Sequence, residues 1–185
     1  MSSVSGMVIL DRDGVINEDS DAYIKSPEEW LPIEGSLEAI RQLKKAGYRV
    51  AVASNQSGLA RGLFDQQSLD AIHAKMENLL AQRGVALDGI FYCPHGPTDN
   101  CLCRKPKPGL LLQIGREFGV DLKQSWFVGD SFSDVQAARM AGARPVLLRT
   151  GKGQQTIDKY GPFNDIPVHD NLARFVRELL RHEKH

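Results

Sequence analysis

Short apolar runs alternate along this chain with longer segments of helical period. Val8-Ile9-Leu10 reads as a buried strand that ends at Asp11. From Gly35 to Ala46, Leu37, Ile40 and Leu43 recur on one helical face, and Gly47 marks the stop. Arg49–Ala53 predicts a second strand, ending at Ser54 and Asn55. Asp65–Gln82 predicts a helix with Leu69, Ile72, Met76, Leu79 and Leu80 turned inward, closed by Gly84. A third strand, Gly89–Tyr92, runs straight into a loop rich in Cys, His and Pro. Pro108–Phe118 predicts a helix, and Trp126–Val128 a fourth strand ending at Gly129 and Asp130. Asp134–Ala141 predicts a helix stopped by Gly142, and Pro145–Leu148 a fifth strand. Gly151 to Gln155 reads as a flexible surface loop. Asn171–Arg181 predicts a last helix with Asp170 as its N-cap, its Leu172, Phe175, Val176 and Leu179 packing on the core.

Strand and helix in alternation imply βαβ units. The expected fold is therefore α/β, a doubly wound and mostly parallel sheet covered on both faces. No internal repeat, low-complexity tract or linker interrupts the pattern, so residues 1–185 read as a single domain. Ligands of such sheets bind beyond the carboxyl ends of the strands. The polar residues at those ends are Asp11 and Asp13, Ser54 and Asn55, and Gly129 and Asp130, with Lys105 following the third strand.

Composition narrows the classes. Lys+Arg and Asp+Glu both number 23, so no bulk field recruits nucleic acid or a membrane surface. The start, Met1 to Gly6, lacks a basic flank, and the apolar run Met7-Val8-Ile9-Leu10 is too short for a leader or a membrane span. The expectation is a cytoplasmic protein, and a chain this compact is expected to act as a monomer.

Asp11-Arg12-Asp13-Gly14 sets two carboxylates at i, i+2 directly after a strand, a spacing suited to one hard cation such as Mg2+. An Asp-rich turn is the alternative. Ser54-Asn55-Gln56-Ser57-Gly58 offers side-chain and backbone donors to phosphate oxygens. Lys105, within Arg104-Lys105-Pro106-Lys107, would neutralise negative charge on a transferred group. In Gly129-Asp130-Ser131-Phe132-Ser133-Asp134, Asp130 would complete the metal site, while Asp134 either orients Lys105 or caps a helix. Gathered on one edge, Asp11, Asp13 and Asp130 would repel each other unless Mg2+ and Lys105 offset them.

Cys93, His95, Cys101 and Cys103 form a C-x-H-x5-C-x-C cluster that contains every cysteine of the chain. Three thiolates and an imidazole are a closed tetrahedral set for structural Zn2+, which would pin the 93–103 loop and so fix Arg104 and Lys105. No basic helix accompanies the ligands, which disfavours a nucleic-acid finger.

The order DxDG, Ser-Asn-Gln, Arg-Lys-Pro and GDxxxD, over about Met7 to Thr150, resembles the haloacid dehalogenase superfamily of phosphatases. The resemblance implies Asp11 as a nucleophile forming an aspartyl-phosphate, and Asp13 as the acid and then the base. It implies Ser54, Arg104 and Lys105 around the phosphoryl group, and Mg2+ held by Asp11, Asp130 and the backbone of Asp13. With the Cys/His loop, the motifs DRDGVIN and CRKPKPG resemble the heptose-bisphosphate and histidinol-phosphate phosphatase branch, which has no large cap domain. A small sugar phosphate on the route to lipopolysaccharide core is the implied substrate. Asn55, Gln56 and Ser57 fall in the loop expected to bind it. Arg61 and Arg104 would hold a second anionic group of a bisphosphate, although a solvent-facing Arg61 reads as well from sequence.

Overall fold

The computed structural model describes residues 6–183; residues 1–5, most of the polar start discussed above, lie outside the described residues. Six parallel strands lie in the order β3-β2-β1-β4-β5-β6. They are β1 (Met7–Leu10), β2 (Arg49–Asn55), β3 (Gly89–Cys93), β4 (Trp126–Gly129), β5 (Arg144–Leu148) and β6 (Val168–His169). The helices are α1 (Ser36–Lys45), α2 (Gln66–Ala81), α3 (Gly109–Phe118), α4 (Phe132–Ala141), α5 (Gly153–Tyr160) and α6 (Leu172–His182).

Alternate residues of the central strand serve opposite faces, as the pleat requires. Val8 and Leu10 pack with Val50, Val52 and Val128 against α1, α2 and α6. Met7 and Ile9 pack with Ala51, Ala53 and Phe127 against α3 and α4. Both faces of β1 are therefore dry, which explains why its four residues form an unbroken apolar run rather than an alternation. The strand order reverses beside β1, between β2 on one side and β4 on the other. That switch point opens a crevice at the carboxyl ends of β1 and β4, where Asp11 and Asp130 follow the last strand residues. Among the described residues no large cap domain is inserted.

Three sequence expectations are corrected. The segment from Gly151 to Gln155 is not a loop throughout, because α5 starts at Gly153. Few of its residues turn inward, which left no apolar period to detect. A sixth strand exists but holds only Val168 and His169, too short for any alternation to register. The N-cap of α6 is Asn171, whose Oδ1 accepts from the Arg174 N–H at 2.9 Å; Asp170 instead faces Arg149 at 3.6 Å.

Leu10 is fully buried on the α1, α2 and α6 face of the sheet and immediately precedes Asp11. Leu10→Ala should cost about 2–5 kcal/mol of stability. Urea unfolding measures it, and a loss under about 1 kcal/mol would mean that the central strand is not packed as described.

Candidate active site

Parallel pairing of β1 with β4 makes Asp11 and Asp130 neighbours. The Asp11 N–H donates to the Val128 carbonyl at 2.9 Å, carrying the ladder one residue past the strand. Asp134 joins them from the first turn of α4. Its Oδ2 accepts from the backbone N–H of Asp130 and of Ser131, both at 3.1 Å, while Ser131 reciprocates in a capping box. The helix start thus locks the acid in place. Ligand-capable atoms of Asp11, Asp130 and Asp134 lie within 4.8 Å of one another.

Two glycines make this crowding possible. A Cβ at Gly14 would stand 2.0 Å from Asp130 Oδ2, and one at Gly151 would stand 2.2 Å from the same atom. Both have positive φ, so glycine satisfies backbone and space together.

Lys105 is 3% exposed, and its ammonium bridges Asp11 Oδ1 at 3.0 Å and Asp134 Oδ1 at 2.7 Å while donating to the Ala53 carbonyl at 3.0 Å. Asn55 holds the backbone on either side of it. Its Oδ1 accepts from the Lys105 N–H at 3.0 Å, and its Nδ2 donates to the Lys105 carbonyl at 3.1 Å. Burial alone would strip the proton from Lys105, but Asp11 and Asp134 outweigh it and hold the ammonium above its ordinary range.

Three carboxylates against one ammonium leave negative charge in excess. Burial, and then Asp134, push the Asp11 carboxyl well above the usual carboxylate range. Burial and Asp134 push Asp130 up to about 7, against the Lys152 N–H that donates to its Oδ2 at 2.8 Å. An all-oxygen set with excess charge at a cleft is the environment a small hard cation prefers.

The Asp13 carboxylate stands apart from that trio. Its Oδ1 accepts from Arg12 Nε and Asn17 Nδ2, both at 2.9 Å, and its Oδ2 from Gln56 Nε2 at 3.3 Å. A cleft of about 400 Å³ lies in front of it, lined by Asp11, Asp13, Asn55, Ser57, Arg104, Lys105 and Asp130. Ser54 does not line it, being 1% exposed with its Oγ accepting from Gln56 Nε2 at 2.7 Å. Gln56 is buried as well. Arg61 sits at the rim, its guanidinium 5.8 Å from the centre of the Tyr23 ring, and Tyr23 is itself part of the cleft wall.

Sequence reading left out several groups that the fold delivers. Asp134, expected to orient Lys105 or cap a helix, performs both tasks and also joins the acidic trio. Asp19 and Tyr23 reach the cleft from the segment after β1, and Lys152 from the segment after β5, where it lies 3.6 Å from Asp19. The available signal was Gly151-Lys152-Gly153, separated by two residues from the end of β5 at Leu148. A Cβ at Gly153 would fall 1.6 Å from the Leu148 carbonyl oxygen, a constraint that marks a tight turn and not a loose loop.

The Cys/His loop is assembled beside the cleft. Cys93 Sγ lies 3.6 Å from Cys101 Sγ and 3.0 Å from Cys103 Sγ, and His95 Nδ1 is 3.4 Å from both Cys93 and Cys103. A tetrahedral zinc with bonds near 2.3 Å separates its sulfur ligands by about 3.8 Å, so the four residues already approximate the cage. The Arg104 N–H donates to Cys101 Sγ at 3.4 Å, which ties the cluster to the cleft wall.

An open polar cleft, a buried lysine and converging acids at a switch point define a phosphoryl-handling α/β hydrolase. The haloacid dehalogenase-like hydrolase family model matches residues 5–142, and the chain belongs to that family. It is 53% identical over 174 residues to the D-glycero-beta-D-manno-heptose-1,7-bisphosphate 7-phosphatase of Pseudomonas putida, covering 94% of this chain and 99% of the relative. The enzyme of the same name from Pseudomonas aeruginosa is 54% identical over 175 residues, covering 95% and 98%. The crystal structure of the D,D-heptose 1,7-bisphosphate phosphatase from B. bronchiseptica, complexed with magnesium and phosphate, superposes with a TM-score of 0.92. It is 51% identical and covers 95% of this chain and 98% of that one.

Raised carboxyls destabilise the fold as pH climbs from the unfolded value near 4 to the folded value, about 7 for Asp130. A divalent cation seated among ionised acids removes that penalty. The rise in Tm on adding Mg2+ should therefore be larger at pH 8 than at pH 5. An equal rise at both would show that the acids do not form the cation site.

Proposed function

We propose that this protein hydrolyses the 7-phosphate of D-glycero-D-manno-heptose 1,7-bisphosphate, through a covalent intermediate on Asp11. The convergence of Asp11, Asp130, Asp134 and Lys105 on one cleft carries the chemistry. Near-full-length similarity to the Pseudomonas enzymes supports the substrate. The whole chain is read as one phosphatase unit, and its product would enter the synthesis of lipopolysaccharide core.

In the first step an Asp11 oxygen attacks phosphorus and the bond to the sugar oxygen breaks. Asp13, protonated, gives its proton to the departing alkoxide. In the second step Asp13, now a carboxylate, takes a proton from water as that oxygen attacks the aspartyl-phosphate, freeing Asp11 and inorganic phosphate. Lys105 favours the ionised form of Asp11 through the 3.0 Å contact with Oδ1, opposing burial and Asp134, and adds positive charge beside the transferred group. Mg2+ held by Asp11, Asp130 and the backbone carbonyl of Asp13 would supply charge compensation for the phosphoryl oxygens.

Asn55 fixes Lys105, and Gln56 joins Ser54 to Asp13 by donating to both. Ser57 and Arg104 face the cleft as substrate contacts, and Arg104 is the better placed of the two arginines for the second phosphate. Arg61 would reach it only by leaving the Tyr23 ring.

Zn2+ on Cys93, His95, Cys101 and Cys103 is the structural metal of this reading, since the set is closed and leaves no position for water. The cytoplasm is the proposed compartment, where clustered thiols stay reduced. The working form is proposed to be a monomer.

Phosphate release with Mg2+ present should favour the heptose bisphosphate over histidinol phosphate at equal concentration, and the opposite preference would overturn the substrate. Asp11→Asn should lower turnover by about three orders of magnitude or more with the fold retained by circular dichroism. Elemental analysis should find stoichiometric zinc, and stripping it should lower Tm and raise KM. A chain that folds and works equally well without zinc refutes the structural site.

A further inference from the structure

Arg12, between the two motif acids, is fully buried, a costly place for a guanidinium unless its charge is used. It wraps back on its own neighbour. Nε donates to Asp13 Oδ1 at 2.9 Å, and Nη2 lies 2.9 Å from Oδ1 and 3.2 Å from Oδ2. Nη2 also reaches Gln56 Oε1 at 3.4 Å. The far nitrogen, Nη1, points away from the cleft to His73 Nε2 on α2, 3.2 Å distant.

A guanidinium only donates, so His73 Nε2 accepts, and the imidazole is neutral with its proton on Nδ1. The surroundings enforce this: burial and the Arg12 charge lower the His73 pKa to about 4. His73 is 7% exposed and leans on the Tyr92 ring at 5.8 Å. It has no route to the substrate. What it supplies is a fixed acceptor that stops the guanidinium from rotating.

We infer that Arg12, anchored by His73, is a positioning residue for Asp13, holding its carboxylate in the orientation that receives and returns the proton of the leaving alcohol. This rests on the reading of Asp13 as the proton carrier. Departure of the alcohol leaves Asp13 anionic, and the Arg12 fork stabilises the charge that forms there. The help matters most when the alcohol is a poor leaving group and least when it is an acidic phenol that needs no proton.

Arg12→Ala would leave the half-buried Asp13 carboxylate without its main partner and empty a fully buried site, which risks misfolding. His73→Leu removes only the acceptor at similar volume, and His73→Gln restores one. For each variant, kcat/KM is measured with an alkyl phosphate and with 4-nitrophenyl phosphate, since it reports the steps through alcohol release. Asp13→Asn sets the scale. His73→Leu should lower kcat/KM for the alkyl ester about tenfold more than for the phenyl ester, a fraction of a general acid's full effect. His73→Gln should recover most of that loss.

Equal losses on both esters, or no recovery with Gln, overturn the positioning role while Asp13→Asn still discriminates. If Asp13→Asn itself fails to discriminate, the proton-carrier reading falls and the inference with it. A purely structural His73 would lower both esters together with Tm, and that pattern counts against the proposal.

Discussion

The site is organised around a buried ion cluster in which Lys105 spans Asp11 and Asp134. Removing either side of such a cluster strands charge in a dry environment. Each member is therefore anchored to a rigid element: Asp11 to the end of β1, Asp134 to the first turn of α4, and Lys105 to Asn55 at the end of β2. Asp130 completes the excess of acid. The cluster is short of positive charge, and that shortage is the physical basis for metal affinity.

Two carboxylates only two residues apart are given opposite surroundings. Asp11 lies among like charges with one ammonium, whereas Asp13 lies among donors supplied by Arg12, Asn17 and Gln56. Environment, not residue type, separates the proposed nucleophile from the proposed proton carrier. The partition follows the backbone: Asp11 still continues the strand ladder, whereas Asp13 has left it and sits just before the turn at Gly14, φ 82°, where Arg12, Asn17 and Gln56 reach its carboxylate.

The Cys/His loop solves a related difficulty at the cleft wall. Between Cys93 and Gly109 no helix or strand holds the chain, yet Lys105 must sit within ångströms of two acids. Cross-linking through four ligands would provide rigidity that hydrogen bonds alone do not. Lys107 adds to it by donating from Nζ to the Cys101 carbonyl at 2.7 Å.

Much of this was legible in one dimension. The unbroken apolar run of β1, the helical spacing of Leu37, Ile40 and Leu43, and an acid, serine or lysine after successive strands follow from local rules. Those rules sufficed for the α/β class, the motif order and the grouping of Cys93, His95, Cys101 and Cys103 in one loop. The two-residue strand β6 and the weakly apolar α5 carry too little period to be seen. Only folding decided that Lys152 and Tyr23 meet at the cleft, that Ser54 turns inward to Gln56, and that Arg61 stacks at the rim on Tyr23. Only folding, too, brought His73 of α2 against Arg12. Sequence periodicity records which face a residue shows its own layer. Contacts between residues 61 positions apart, such as Arg12 and His73, depend on how layers stack, and no local pattern encodes that.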